Sequence, residues 1–156
     1  MIAIRLARPE DAPLLLDLIR GLAAYEKLAD QVTATEAAVR ETLFGPRPAA
    51  EALIAELDGV AAGFAIFFSS YSTFLARPGI YLEDLFVKPE LRRRGVGRAL
   101  FTHVARLAVE RGCGRFEWSV LDWNEPAIAF YRSLGAVPLS DWTVFRLTGE
   151  ALKRLG

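Results

Sequence analysis

Four arginines fall within seven residues, Arg92-Arg93-Arg94-Gly95-Val96-Gly97-Arg98, and two glycines interrupt them. Glycine lets a backbone come close to a ligand. The amides of a helix's first turn have no intrahelical partner and sit at the positive end of its dipole. Such a stretch suits a pyrophosphate if it joins a strand to a helix. The residues before it, 81–87, are bulky and partly alternating, and Lys88-Pro89 ends them because proline brings no donor to a ladder. Those after it repeat apolar positions at Val96, Leu100, Val104, Leu107 and Ala108, which lie on one face of a helix. Taken alone, the stretch equally suits a solvated loop whose glycines only satisfy backbone geometry.

A second segment bears on that choice. Asn124-Glu125-Pro126-Ala127-Ile128-Ala129-Phe130-Tyr131 opens a short helix with an acid and a proline in its first turn, and Gly135 follows where a left-handed cap is needed. Arg92-x-x-Gly95-x-Gly97 after a strand, then Asn124 and a helix carrying a tyrosine, resembles the motif pair of the GNAT superfamily of N-acetyltransferases. The resemblance implies an α/β fold, a single domain over residues 1–156 with a mixed, mostly antiparallel twisted sheet flanked by helices. It implies acetyl-CoA as cosubstrate, with its pyrophosphate on the loop from Arg92 to Arg98. Asn124, Pro126 and Tyr131 would contact the cofactor from the later helix, and the backbone of Leu85, Phe86 and Val87 would pair with pantetheine as an added strand does.

Residues 22–32, 81–84 and 120–126 narrow the resemblance. Tyr25-Glu26 and Leu121-Asp122-Trp123-Asn124 are similar to the spermidine/spermine acetyltransferase group, most closely its thialysine acetyltransferase branch. The activity implied is direct transfer, in a ternary complex, to a primary amine of a small diamine, polyamine or diamino acid. A lysine-like amine has a pKa of about 10.4, so a base must remove its proton near neutrality. Glu83 matches the group's acidic residue for that task; by itself it equally suits a solvated strand end. Asp84, on the opposite face by period two, is expected to be structural. Tyr131 by itself reads as a half-buried core aromatic, and the resemblance makes it the proton donor to the leaving thiolate. Tyr25, Glu26, Glu83, Glu117, Trp118 and Asp141 are the expected amine-binding set, with Glu117 and Trp118 matching by position only and Asp141 standing in a shortened segment.

Composition excludes several classes. The chain of 156 residues with 53% hydrophobic content can bury its own core, and its basic and acidic residues balance at 19 each, so no nucleic-acid or membrane surface is expected beyond the arginine run. The longest apolar run, residues 60–68, is far shorter than the roughly 20 residues of a membrane span, and the N-terminus lacks a signal-peptide core. A cytoplasmic protein is expected, and the group resembled implies a homodimer. Cys113 is the only cysteine and His103 the only histidine; both read as incidental, and no metal is expected.

Periodicity supplies the remaining elements. Residues 2–7 alternate as a strand, and Leu14, Leu15, Leu18, Ile19 and Leu22 recur at helical spacing. Thr33-x-x-Glu36 has the form of a capping box for a helix over 35–44. Residues 52–57 and 60–70 read as strands joined by the hairpin pair Asp58-Gly59, followed by a loop around 72–79. Further strands are expected at 115–121 and 142–147, a helix at 126–134, and a last helical turn at 148–154. Three other functions compete with the amine acetyltransferase. An enzyme acting on protein N-termini or lysines would need an open groove, a catalytically silent acetyl-CoA-binding module would not need Glu83 and Tyr131, and a nucleic-acid binder would need a wider basic field.

Overall fold

A computed structural model describes residues Met1–Gly156. The chain forms two compact units, Met1–Ser119 and Val120–Gly156. The first holds a five-stranded sheet in sequential order: β1 (Ile2–Leu6), β2 (Glu51–Leu57), β3 (Val60–Ser72), β4 (Arg77–Val87) and β5 (Arg115–Trp118). The first four are antiparallel neighbours, and β5 runs parallel to β4. This is the mixed, mostly antiparallel α/β sheet expected. Asp58 and Gly59 both take positive φ, 51° and 81°, as the two-residue hairpin turn between β2 and β3 requires.

Helix α1 (Ala12–Tyr25) buries Leu15 and Leu18 against Ile54, Phe64, Ile66 and Phe86 on one face of the sheet, and α2 (Glu36–Phe44) adds Val39 to the same core. Helix α3 (Val96–Glu110) buries Val96, Leu100 and Val104, and stacks Phe101 on Phe116 and Trp118 of β5 with ring centroids 5.0 and 4.9 Å apart. Phe67 and Leu82, which alternate with the α1-side residues along their strands, are buried too. Both faces of the sheet are therefore covered. The second unit carries α4 (Glu125–Ser133) and α5 (Gly149–Lys153).

Four expectations need correction. Helix α2 is capped by Thr35, whose hydroxyl accepts from the Ala38 amide at 3.1 Å, and not by Thr33. The strands flanking the expected loop at 72–79 extend through Ser72 and begin again at Arg77, because their backbones stay paired to Ser72↔Arg77. Strand β5 stops at Trp118, short of 121. Residues 142–147 form no strand, although Trp142, Val144, Phe145 and Leu147 favour one. A strand is defined by ladder partners as much as by propensity, and these residues have none; Trp142 and Phe145 are exposed.

Candidate active site

The arginine-glycine stretch is a strand-to-helix turn. A short 3₁₀ turn, Pro89–Leu91, follows β4, and Gly95 caps α3 with φ 85°. Arg93 also takes positive φ, 62°, so the backbone curls twice before the helix begins. The first intrahelical bond runs from the Ala99 amide to the Gly95 carbonyl, 2.9 Å, which leaves the amides of Val96, Gly97 and Arg98 without helical acceptors. Arg93, Arg94 and Arg98 are exposed beside them. Arg92 is different: it is half-buried, its Nε donates to the Val87 carbonyl at 2.9 Å, and its guanidinium carbon lies 4.5 Å from the Tyr25 ring centroid and 5.6 Å from that of Phe86.

Packing does not demand glycine at position 97. A Cβ there would meet Val87 Cγ2 at 3.6 Å and Leu85 Cδ2 at 3.8 Å, ordinary contacts. Glycine there instead keeps open the space between the first turn of α3 and residues 85 and 87 of β4. Gly97→Val is thus expected to weaken acetyl-CoA binding about tenfold or more, because a branched side chain then stands between the first-turn amides and the strand edge of residues 85–87, where the cofactor would run. Calorimetry checks this, and an unchanged affinity would make the turn purely structural.

Beside this turn the parallel strands part. The β4–β5 ladder runs from Gly79↔Arg115 to Leu82↔Trp118 and ends there, while on its other edge β4 stays paired with β3 through Leu85↔Ala65, Phe86↔Phe64 and Val87↔Gly63. Residues 84–87 thus have a partner strand of the sheet on one side only. An edge of this kind can accept an extended ligand as an extra strand.

Divergence coincides with a β-bulge. Ile66 pairs with Asp84 and the next residue, Phe67, pairs with Leu82, so Glu83 is an extra residue without a cross-strand partner. The period-two assignment of Asp84 does not survive this shift. Asp84 stands opposite Ile66, on the face covered by α1, and its carboxyl is pushed up to about 7, first by burial and then by the charges of Glu83 and Glu26. Glu26 is itself raised by burial. The three carboxyls form one group, and Asp84 belongs to it although the strand's alternation hides it.

Tyr25 and Glu26 are set by the end of α1. The amides of Leu28 and Lys27 return to the carbonyls of Ala23 and Ala24, 2.8 and 3.2 Å, with Lys27 in the left-handed region at φ 61°. This double closure holds Glu26 half-buried at the C-cap. On β5, Glu117 pairs with Tyr81, and Trp118 pairs with Leu82 on the opposite face, against Phe101. Trp118 is thereby turned to the α3 side of the sheet, away from the face that carries Asp84.

The other expected residues lie in the second unit. Asn124 is buried and caps α4, its Oδ1 accepting from the Ala127 amide at 3.4 Å, and Pro126 sits in the first turn. Tyr131 closes the helix: its carbonyl accepts from Ala136, the Gly135 amide returns to Arg132, and Gly135 has φ 89°. The Tyr131 ring lies 5.6 Å from that of Phe130, centroid to centroid, and Asp141 is exposed in a turn.

A sheet whose parallel pair parts beside a glycine-capped, arginine-rich helix start has the architecture of an acyl-group transferase that holds its thioester donor along a strand edge. The chain belongs to the GNAT acetyltransferase family, whose model matches residues 21–136. It is 40% identical to thialysine N-epsilon-acetyltransferase of Sus scrofa, over 99% of this chain and 96% of the relative. It is 36% identical to L-ornithine N5-acetyltransferase of Arabidopsis thaliana, over 97% and 86%. An integron cassette protein from the mobile metagenome of V. cholerae shares the fold with a TM-score of 0.82 at 24% identity, over 99% of this chain and 96% of its own. GNAT acetyltransferases use acetyl-CoA, and the bare helix start, the exposed guanidinium groups and the half-paired strand fit its pyrophosphate and pantetheine.

Proposed function

We propose that this protein transfers the acetyl group of acetyl-CoA directly to a primary amine of a small diamine, polyamine or diamino acid. The carboxyl group of three, Glu26, Glu83 and Asp84, supports this reading most, because burial and mutual repulsion make it a region that gains from an arriving cation. The names of the relatives, acting on thialysine and ornithine, point the same way. Acetyl-CoA supplies an activated thioester carbonyl and a thiolate leaving group. Arg93, Arg94 and Arg98 with the amides of Val96 and Gly97 would hold its pyrophosphate, the edge of residues 85–87 its pantetheine, and Asn124 and Pro126 would add contacts from the start of α4.

Glu83 is the proposed base. As the bulged residue it is exposed and carries no cross-strand packing duty, so its carboxylate is available to accept a proton from the amine, directly or through water. Tyr131 is the proposed acid, its phenolic hydroxyl giving a proton to the departing sulfur. Tyr25 and Glu26 would receive the distal part of the amine, with Glu117 on the neighbouring strand. Residues 1–156 are read as one acetyltransferase domain, since the family match crosses the boundary between the two units. The group resembled suggests a homodimer, and the single cysteine is consistent with a cytoplasmic setting. No helix is long and apolar enough to cross a membrane.

A panel of amines assayed by release of free thiol tests the proposal. A compact diamine or diamino acid is expected to exceed a neutral-tailed monoamine of equal length about tenfold in kcat/KM, and Glu26→Gln should raise KM for the diamine with little change in kcat. Equal efficiency for both amines would refute the cationic tail as the recognised feature.

A further inference from the structure

We propose that Arg92 is a positioning residue for the amine side of the site and not a pyrophosphate contact. The inference rests on the function proposed above. Four arginines share the turn, and three of them face solvent beside the bare amides of α3. Arg92 leaves that surface. Its Nε is spent on the Val87 carbonyl, and its guanidinium lies over the ring of Tyr25 and near that of Phe86. Phe86 packs with Leu15 and Leu18 of α1, whereas position 97 at the start of α3 abuts Leu85 and Val87. By alternation along β4 these are opposite faces of the sheet. Arg92 therefore crosses from the cofactor turn to the α1 face and ends on the last residue of that helix.

The contact has a mechanical meaning. Tyr25 precedes Glu26, and both are held at a helix end that already contains a left-handed non-glycine residue, Lys27. A planar cation stacked on the Tyr25 ring fixes that end relative to β4, where Glu83 and Asp84 stand. The close approach of the parts is visible at Gly21, where a Cβ would meet the Phe86 ring at 3.0 Å. The turn that meets the cofactor and the helix end that meets the amine thus share one side chain.

Arg92→Met, Arg92→Lys and Tyr25→Leu separate the two roles. For a positioning residue, Arg92→Met leaves the calorimetric acetyl-CoA Kd within about twofold and raises the amine KM about tenfold. Arg92→Lys does not restore KM, because an ammonium lacks the planar fork. Tyr25→Leu gives a similar rise, and combining it with Arg92→Met adds little. Hydrogen exchange at the amides of Lys27 and Leu28 should quicken in the Arg92 variants. The assignment is overturned if Arg92→Met weakens acetyl-CoA binding tenfold or more, Arg92→Lys recovers it, and exchange at 27–28 is unchanged. Should Arg92→Met not fold, Arg92→Lys decides by the same two measurements. Affinity and exchange are read without turnover, so they judge Arg92 even if no amine is acetylated, an outcome that would instead defeat the proposed function.

Discussion

Replacing Tyr131 with Phe is expected to lower kcat by about 10²–10⁴-fold, the usual worth of a positioned acid, while acetyl-CoA binding and thermal stability stay close to wild type. The substitution removes a hydroxyl and keeps the ring, so the stack on Phe130 survives. The closure at the end of α4 uses only the Tyr131 carbonyl and is also untouched. Loss of rate with retained binding then reports the proton. A thermal shift with added CoA serves as the folding and binding control. Near-normal kcat under conditions where chemistry limits turnover would remove Tyr131 from the mechanism. Where steady-state loss is under about threefold, single-turnover kinetics reveal whether product release hides the step, since a burst appears only when release is slow.

Asp84→Asn is expected to stabilise the protein at pH 8 and to do so less and less as pH falls to 5. The carboxyl is held near 7 in the folded protein against an ordinary 3.8, chiefly by burial and secondarily by Glu83 and Glu26. Below the ordinary value it is protonated in both folded and unfolded chains and costs nothing. Between about 4 and 7 the unfolded chain releases a proton that the folded chain keeps, so stability falls as pH rises and the full cost is present above 7. That cost is up to a few kcal/mol, enough for about 5 °C in Tm. Thermal denaturation of both proteins across this range checks the sign. Parallel curves for the two would show that Asp84 ionises freely in the fold. If the carboxylate also serves the amine, the Asn variant gains stability and loses affinity for a diamine together, the pattern of a site held at a cost to the fold.

Local chemistry in the sequence carried most of the architecture. The apolar spacing of α1 and α3, the Asp58-Gly59 turn, and Pro126 and Gly135 around α4 each act within a few residues, and each formed as expected. What the sequence hid depends on pairing between distant segments. Thr33 and Thr35 offer similar caps, and the side chain that meets the Ala38 amide is chosen by how the chain enters the helix. Residues 142–147 have the composition of a strand without a ladder partner. Asp84 looked merely structural because alternation was counted through Glu83, and the extra residue is visible only in the register with β3. The stack of Arg92 on Tyr25 joins positions 67 apart in sequence, and the arginine run disguised it as one more phosphate ligand.

The bulge has a consequence for how such an enzyme can change. Were Glu83 deleted, Leu82 would be followed by Asp84 and the strand would close into regular alternation, every remaining side chain keeping its present face and partner. The proposed base is therefore a supernumerary letter in an otherwise grammatical strand. Selection can revise it, or discard it, without rewriting the core, and a lineage that loses the chemistry need not lose the fold. The same freedom runs in reverse: one inserted residue beside an open strand edge is a short mutational route by which a passive acyl-CoA carrier could acquire a base.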